Sequence, residues 1–168
     1  MIKTEAQKLI DNGIYIIPLL PNEKFNGDTD ILTKDYSVEE VNPEGNLGIN
    51  LAKSHLIDVD LDSDLAVHFG SEWLPRNTKI LGRRSPEGKD ELTHFFYDNK
   101  ANDIKENVSI KNLAGDTVVE LRTNGNTVVY GKTRNKKTNA LMDRYWHNET
   151  SALTDIHIKK IFNKIGFA

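Results

Sequence analysis

The stretch His55-Leu-Ile-Asp-Val-Asp-Leu61 decides the fold, and the other motifs are best understood in relation to it. Its apolar and β-branched residues indicate a strand. Because side chains alternate between the two faces of a strand, Asp58 and Asp60 point to one face and the apolar residues to the other. Carboxylates on a mostly buried strand are costly unless a positive charge compensates them. A divalent metal ion is the simplest candidate, and an exposed acidic edge strand is the alternative.

Composition restricts the kinds of site that the chain can build. Its 168 residues suit a single domain, 1–168, with one core. A charged fraction of 28% and a formal net charge of -3 give no bulk attraction to nucleic acid or membrane, so any basic surface must be local. The lack of cysteine excludes disulfides, thiolate zinc sites and cysteine nucleophiles. With neither a signal-peptide core nor an apolar run of spanning length, the expected compartment is the cytoplasm.

The remaining elements predict an α+β domain, because strands outnumber helices without regular βαβ alternation. Helices are predicted over residues 4–12, from Ser37, from Asp62 or Ser63 to about Phe69, and over 154–165. Further strands are predicted over 14–17, 46–50, 78–81, 92–97, 117–121 and 126–130, with an extended basic loop over 82–91. A helix-capping role explains Asp62 better than a role in the site.

Two polar residues interrupt other apolar strands, His94 in 92–97 and Glu120 in 117–121. Taken singly, each is more often structural or solvent-facing. Together with Asp58 and Asp60 they indicate an oxygen-rich site of the kind that Mg²⁺ or Mn²⁺ occupies alongside substrate phosphates. Such a site has room for two metal ions in nucleotidyl transfer, one at the attacking hydroxyl and one at the leaving pyrophosphate.

The order of motifs along the chain resembles the primase-polymerase domains of the archaeo-eukaryotic primase superfamily, which are common in plasmids, phages and mobile elements. The similar stretches are Gly13-Ile-Tyr-Ile-Ile-Pro-Leu-Leu-Pro-Asn-Glu-Lys24, Asn46-Leu-Gly-Ile-Asn50, Ile57-Asp-Val-Asp60, Gly82-Arg83, Thr93-His94, Val119-Glu-Leu-Arg122 with its hairpin, and Tyr145-Trp146. Each motif alone is common. Their order and spacing carry the resemblance, which spans nearly the whole chain.

The resemblance implies a mixed or antiparallel sheet with an RRM-like element, flanked by short helices. It also implies a DNA primase or DNA polymerase that joins nucleoside triphosphates on a single-stranded DNA template and primer, with a replicative helicase in cis or in trans, and a chain that can be the N-terminal part of a longer replication protein. By resemblance, Asp58, Asp60 and Glu120 are the catalytic metal ligands. The nucleotide-binding residues are then His94, Arg83, Thr93, Arg122, Lys24 and Lys132.

Two departures from the family pattern leave open which residues contact the nucleotide. Tyr130-Gly-Lys-Thr133 stands where the family often has Pro-Pro-Ser after the hairpin. The loop after Arg83 is long, so Arg84 and Lys89 compete with Arg83 for the triphosphate, and motif position favours Arg83. Trp73 can stack a base, although packing explains a tryptophan better.

Other functions fit parts of the same pattern. A glycosyltransferase also uses Asp-x-Asp after an apolar strand, but the short chain and the Thr93-His94 motif favour the polymerase. A metal-dependent nuclease fits less well, because Arg122 stands where many such sites place lysine. The non-enzymatic alternative is a replication-associated domain that binds nucleic acid without turnover. Neither a membrane partner nor a particular oligomeric state is indicated.

Overall fold

The structure is a computed structural model and describes residues 1–100 and 104–152, so the helix predicted over 154–165 lies outside the described residues. The predicted α+β class is confirmed, since the described residues form two α-helices, a short 3₁₀-helix and nine strands. Their bounds are α1 Ile2–Asp11, β1 Ile16–Leu19, the 3₁₀-helix Val38–Glu40, β2 Asn46–Asn50, β3 Leu56–Leu61, α2 Asp64–Trp73, β4 Lys79–Arg84, β5 Asp90–Asp98, β6 Val108–Lys111, β7 Thr117–Arg122, β8 Asn126–Arg134 and β9 Leu141–Asn148.

The strands follow the hydrogen-bonded order β1-β2-β8-β9-β4-β5-β3-β7-β6, with antiparallel pairing. The chain divides into two compact units. Unit 1 contains Met1–Ser54, Gly82–Asp90 and Asn124–Tyr145, and unit 2 contains the described residues of His55–Leu81, Glu91–Thr123 and Trp146–Ala168. None of the helices within the described ranges combines the length and hydrophobicity needed to cross a lipid bilayer.

Unit 1 begins with α1, whose buried residues Ile2, Ala6 and Leu9 recur at helical spacing. The strand that follows corrects one prediction, because β1 does not end at Pro18 but includes it, paired with Leu47 of β2. A proline has no backbone N–H to donate, and β1 stands at one end of the strand order, where a missing donor is tolerated.

In two basic stretches, the strands extend further than the sequence predicts. The turn within the predicted 82–91 loop is confined to 85–89, where Ser85 N–H donates to the Lys89 carbonyl oxygen, and the flanking residues belong to β4 and β5. Likewise β8 continues through Lys132 to Arg134, and the hairpin turn to β9 follows at 135–140. In both places, hydrogen bonding to a neighbouring strand overrides the polar and glycine content that favours a loop.

Gly131 lies in β8 at a position where a side chain does not fit. Its φ is +98°, and a Cβ atom built there would lie 2.0 Å from Oδ1 of buried Asn46. That oxygen accepts the Lys132 N–H at 3.0 Å, while Nδ2 of Asn46 donates to the carbonyl oxygens of Lys132 and Glu23 at 2.6 and 3.0 Å. The buried amide therefore joins β2, β8 and the turn after β1.

We expect Gly131→Ala to lower the free energy of unfolding by about 3 kcal/mol, because it combines backbone strain with displacement of a hydrogen-bonded buried amide. Urea denaturation would measure the loss. Gly115→Ala is the matched control, since Gly115 has a φ of +88° but nothing within 4 Å of its added Cβ, so only the strain of about 1 kcal/mol remains. If both variants lose the same free energy of unfolding, the Asn46 side chain can move away from the new methyl group without destabilising the fold.

Unit 2 places α2 on one face of the strand series β5-β3-β7-β6. Ser63 begins the helix, its Oγ accepting the Ala66 N–H at 3.1 Å. Gly70 lies so close to Leu61 that an added Cβ would meet a Leu61 methyl at 2.6 Å. The core between helix and strands is apolar and consists of Ile57, Val59, Leu61, Leu74, Ile80, Phe95, Tyr97, Val119 and Leu121, with Ala66 and Val67 packed against it.

Candidate metal centre

Strand register brings the predicted acids together on the face of β3 that is opposite to the apolar core. Asp60 is paired with His94 of β5 on one side and with Glu120 of β7 on the other. In the next register position, Asp58 is paired with Phe96 and Arg122. Directly opposed residues of antiparallel strands project to the same face. Five of the predicted site residues therefore share one surface of unit 2: Asp58, Asp60, His94, Glu120 and Arg122.

Asp58 is the innermost member of this group and has no exposed side-chain surface. Its two carboxylate oxygens lie 3.0 and 3.1 Å from Nδ1 of His94, which is itself buried. Since a carboxylate accepts hydrogen bonds, the proton of the imidazole is on Nδ1. The same nitrogen lies 3.5 Å from Oδ1 of Asp60. Asp58 thus fixes the tautomer and the orientation of the His94 ring.

Arg122 supplies a positive charge to all three predicted acids. Its Nη1 lies 3.6 Å from Oδ2 of Asp58 and 4.0 Å from Oδ2 of Asp60, and its Nε lies 4.0 Å from Oε2 of Glu120. The sequence-based interpretation assigned this arginine to nucleotide phosphates and the compensating charge to a metal ion. The structure brings the guanidinium within ion-pair distance of the acids, where it offsets part of their charge.

Asp62 joins the acids although sequence reasoning left it outside the site. The N-cap of α2 is Ser63, so the capping role proposed for Asp62 is wrong. Ligand atoms of Asp60, Asp62 and Glu120 all lie within 4.8 Å of one another, as do those of Asp58, Asp60 and His94. The signal was present in the sequence, because Asp62 continues the two-residue alternation of Asp58 and Asp60.

The donor atoms of this cluster suit a hard divalent cation. Carboxylate oxygens are the ligands that such ions prefer, and an imidazole nitrogen is compatible with several of them. The carboxylates of Asp58, Asp60, Asp62 and Glu120 together with the Arg122 guanidinium leave a formal charge of −3 when His94 is neutral. The side chains of Asp60 and Glu120 are 17% and 30% exposed, so solvent reaches them. The group can therefore hold a metal ion.

Thr93 does not share this surface. It precedes His94 in β5, so alternation directs its side chain to the opposite face. There it is buried, and Oγ1 makes no hydrogen bond. The direct nucleotide contact predicted for Thr93 would require its side chain to leave this environment.

The other predicted phosphate-binding residues belong to unit 1. Lys24 follows β1, and its carbonyl oxygen accepts a hydrogen bond from Asn126 Nδ2 at 3.0 Å. Lys132 is exposed and lies 3.8 Å from a carboxylate oxygen of Asp143. Arg83 is half-buried near the end of β4.

Arg84, the competitor of Arg83, already has an anionic partner. Its Nε and Nη2 donate to the two carboxylate oxygens of Asp90 at 2.6 and 3.1 Å, and its guanidinium lies 5.0 Å from the centre of the Tyr145 ring. Hydrogen bonding to Asp90 raises the pKa of Arg84. A triphosphate would have to displace Asp90 in order to use this arginine.

Comparison with protein-family models and with curated sequences does not identify the chain. No protein-family model matches the chain, and no curated protein sequence matches it either. The chemistry of the centre therefore has to be inferred from its own residues. The order of the motifs remains the reason for comparing it with primase-polymerases.

Proposed function

We propose that the chain is a template-directed nucleotidyltransferase of the primase-polymerase kind, a DNA primase or DNA polymerase, with its metal centre in unit 2. The observation that carries the proposal is the row of His94, Asp60 and Glu120 across three neighbouring strands, with Asp58 in the adjacent position. The two acids of the β3 motif, a third acid and a histidine are the set that the motif resemblance assigns to nucleotidyl transfer.

Asp58, Asp60 and Glu120 would hold the metal, with Asp62 as an additional ligand at the rim. Asp60 belongs to both groups of ligand atoms that lie close enough together to hold a metal ion. When bound, Mg²⁺ or Mn²⁺ would supply positive charge that favours the meeting of a primer hydroxyl with a nucleoside triphosphate. This leaves the protein side chains with the tasks of orienting the phosphates and balancing their charge.

His94 is suited to bind a phosphate. Its Nδ1–H is directed to Asp58, so the ring has a fixed orientation. When Nε2 also carries a proton, it can donate a hydrogen bond to a phosphate oxygen. Arg122 limits the repulsion between the acids and the arriving triphosphate.

One observation favours a different function. Because Arg122 lies within 4.0 Å of carboxylate oxygens of all three acids, the cluster is partly neutralised without any metal. A domain that binds single-stranded nucleic acid without turnover would need no more than this. Metal dependence therefore separates the two functions.

Primer extension on a single-stranded DNA template tests the proposal. With Mg²⁺ or Mn²⁺ and either deoxyribonucleotides or ribonucleotides, we expect the parent protein to extend a primer. Asp60→Asn and Glu120→Gln should each lower the rate by at least about 100-fold, because each removes a charged metal ligand. Asp98→Asn is the matched control, since Asp98 lies on the same strand as His94 but pairs with Lys100.

Thermal unfolding of all variants would show whether each retains its fold. The polymerase proposal fails if the parent incorporates nothing and binds single strands equally well after both acids are changed. It also fails if incorporation survives Asp60→Asn. Metal-dependent hydrolysis of a sugar nucleotide by the parent would instead support a glycosyltransferase.

A further inference from the structure

The hairpin 130–145 concentrates positive charge in one part of unit 1. It consists of the last residues of β8, the turn 135–140 and the first residues of β9. Its five basic residues and one acid give a formal net charge of +4, whereas the whole chain carries −3, so the rest of the chain carries −7. Attraction to a polyanion must come from such a local surface. The basic residues are Lys132, Arg134, Lys136, Lys137 and Arg144.

Strand register divides these charges between the two faces of the hairpin. Thr133 is paired with Met142, and both side chains are buried. Nε of Arg144 donates to Oγ1 of Thr133 at 3.0 Å, so this arginine belongs to the buried face. Lys132 and Arg134 flank Thr133 and project to the opposite, exposed face, because side chains alternate along a strand. Four basic residues of the hairpin are therefore exposed, two on this face and two in the turn.

The charges of Lys132 and Arg134 are available to a ligand. Nζ of Lys132 lies 3.8 Å from Oδ1 of Asp143, and the two side chains are 53% and 55% exposed. An exposed ion pair of this kind is weak, so a phosphate can take the place of the carboxylate. Nη1 of Arg134 donates to the carbonyl oxygen and to Oδ1 of Asn139 at 2.8 and 3.4 Å. Because these partners are neutral, they orient the guanidinium without cancelling its charge.

Hydrogen bonds give the turn of the hairpin a defined backbone shape. Oδ1 of Asn135 accepts the N–H groups of Lys137 and Thr138 at 2.8 and 3.2 Å. The N–H of Asn135 donates to the carbonyl oxygen of Ala140 at 2.8 Å. Lys136 and Lys137 therefore extend from a turn that is already ordered, which lowers the entropy cost of binding a ligand there.

We propose that the hairpin 130–145 binds the sugar-phosphate backbone of a single-stranded nucleic acid. Side chains two positions apart on a strand are about 6.5 Å apart, which is close to the distance between successive phosphates of an extended nucleic-acid strand. Lys132 and Arg134 thus contact successive phosphates, and Lys136 and Lys137 continue the contacts beyond the end of β8. Phosphate contacts of this kind are independent of base sequence.

The choice of a single strand as the partner rests on the proposed function, since a template-directed nucleotidyltransferase has to hold its template. The hairpin gives Lys132 a contact with this strand in place of the nucleotide contact that the resemblance implies. An anionic membrane surface is the other ligand that a group of lysines attracts. Its headgroups, however, are not linked in a row as the phosphates of a strand are.

Binding of a fluorescein-labelled oligothymidylate, measured by fluorescence anisotropy with EDTA present, tests the hairpin without any contribution from a bound metal. The hairpin variant combines Lys132→Gln, Arg134→Gln, Lys136→Gln and Lys137→Gln. It should bind at least about tenfold more weakly than the parent at low ionic strength. The slope of log K against log salt concentration should fall by about 3, because each phosphate contact with a single strand contributes about 0.7. A labelled oligouridylate shows whether RNA is bound in the same way.

Two control variants separate a local contact from a general effect of charge. The charge control removes four positive charges from exposed lysines outside the hairpin and should change affinity and slope much less. Its changes are Lys3→Gln, Lys8→Gln, Lys105→Gln and Lys111→Gln. The second control, Lys132→Arg with Arg134→Lys, keeps the charge of the hairpin and should keep both quantities. Circular dichroism and cooperative unfolding would show that each variant is folded.

Unchanged binding of oligothymidylate by the hairpin variant would overturn the proposal, as would equal losses in the hairpin variant and the charge control. Tighter binding of duplex DNA than of single strands would overturn it too. So would a hairpin that is needed for binding phosphatidylserine vesicles and not for binding oligonucleotides. Primer extension keeps the two proposals distinct. Loss of extension in Asp60→Asn, with unchanged strand binding by the hairpin variant, rejects the hairpin alone. Hairpin-dependent binding by a parent that extends no primer rejects the polymerase alone.

Discussion

Replacing Arg122 with methionine should lower the free energy of unfolding by about 3 kcal/mol near neutral pH, because the change leaves buried carboxylate charge without its guanidinium partner. Asp58 has no exposed side-chain surface, so water cannot take over the role of Arg122 there. The stems of arginine and methionine are similar in bulk, which limits the contribution of lost packing. Chemical denaturation monitored by circular dichroism would measure the loss.

The same variant distinguishes a metal centre from a purely ionic cluster. With Arg122 gone, the acids carry one more unit of uncompensated negative charge, so millimolar Mg²⁺ or Mn²⁺ should raise the melting temperature of Arg122→Met more than that of the parent. Lys100→Met is the control, since Lys100 forms an exposed ion pair with Asp98 and its loss should matter little. If Arg122→Met lowers the free energy of unfolding as little as Lys100→Met does, the arginine does not balance the charge of the acids. If metal raises neither melting temperature, the cluster binds no divalent cation.

Phe95→Ala should lower the free energy of unfolding by about 3–5 kcal/mol, the usual cost of removing a fully buried phenylalanine side chain. Phe95 has no exposed surface and is paired with Val59 across β3 and β5. Its side chain lies in the core, on the face of these strands opposite to the metal centre. For a domain of ordinary stability, this loss is a large part of the total free energy of unfolding and would lower the melting temperature by roughly 10 °C. Differential scanning calorimetry would record both quantities.

Phe25→Ala is the matched control for this change, because it removes the same side chain where 52% of it is exposed. Its cost should be small. Since His94 follows Thr93 and precedes Phe95 in β5, the core substitution should also loosen the contact between His94 and Asp58, which NMR of the imidazole can detect. Equal stability losses at Phe25 and Phe95 would contradict the core described for unit 2.

The common face of Asp58 and Asp60 could be predicted because it depends on a local rule, the alternation of side chains along a strand. The α+β class followed from similarly local patterns. The row formed by Asp60 and Glu120 depends instead on which strands pair and in what register, and these residues are 60 positions apart in the sequence. Periodicity contains no information about that partner.

The sequence reasoning did not place Asp62 and Arg122 beside the acids, and the two omissions have a shared cause. The capping role of Asp62 is wrong, whereas the phosphate contact of Arg122 stays a prediction. Both residues extend an alternation that had already been recognised, Asp62 after Asp60 and Arg122 after Glu120. Asp62 was interpreted as a helix cap and Arg122 as a phosphate ligand, and the position of each residue in the repeat also assigned it to the same face as the acids. Ser63 is the cap because its hydroxyl reaches the Ala66 N–H.

Strands β6 and β9 were not predicted, and their composition shows why. In β6 most side chains are exposed, and β9 is only partly buried and carries charged residues such as Asp143 and Arg144. β6 has only four residues, so its alternation of Val108 and Ile110 with Ser109 and Lys111 is too short to indicate a strand, and β9 has no regular alternation. Backbone hydrogen bonds to β7 and β8 hold both strands in the sheet. A pattern based on hydrophobicity therefore does not detect them.

The position of Pro18 also matters for encounters between copies of the protein. An outer strand offers a row of backbone donors and acceptors to which a strand of another molecule can add, a route to aggregation. β1 is such a strand, but it has four residues and one of them is this proline. A short edge that lacks one of its donors is a poor template for intermolecular strand addition. Pro18 therefore makes β1 of the folded protein a poor site for edge-to-edge association.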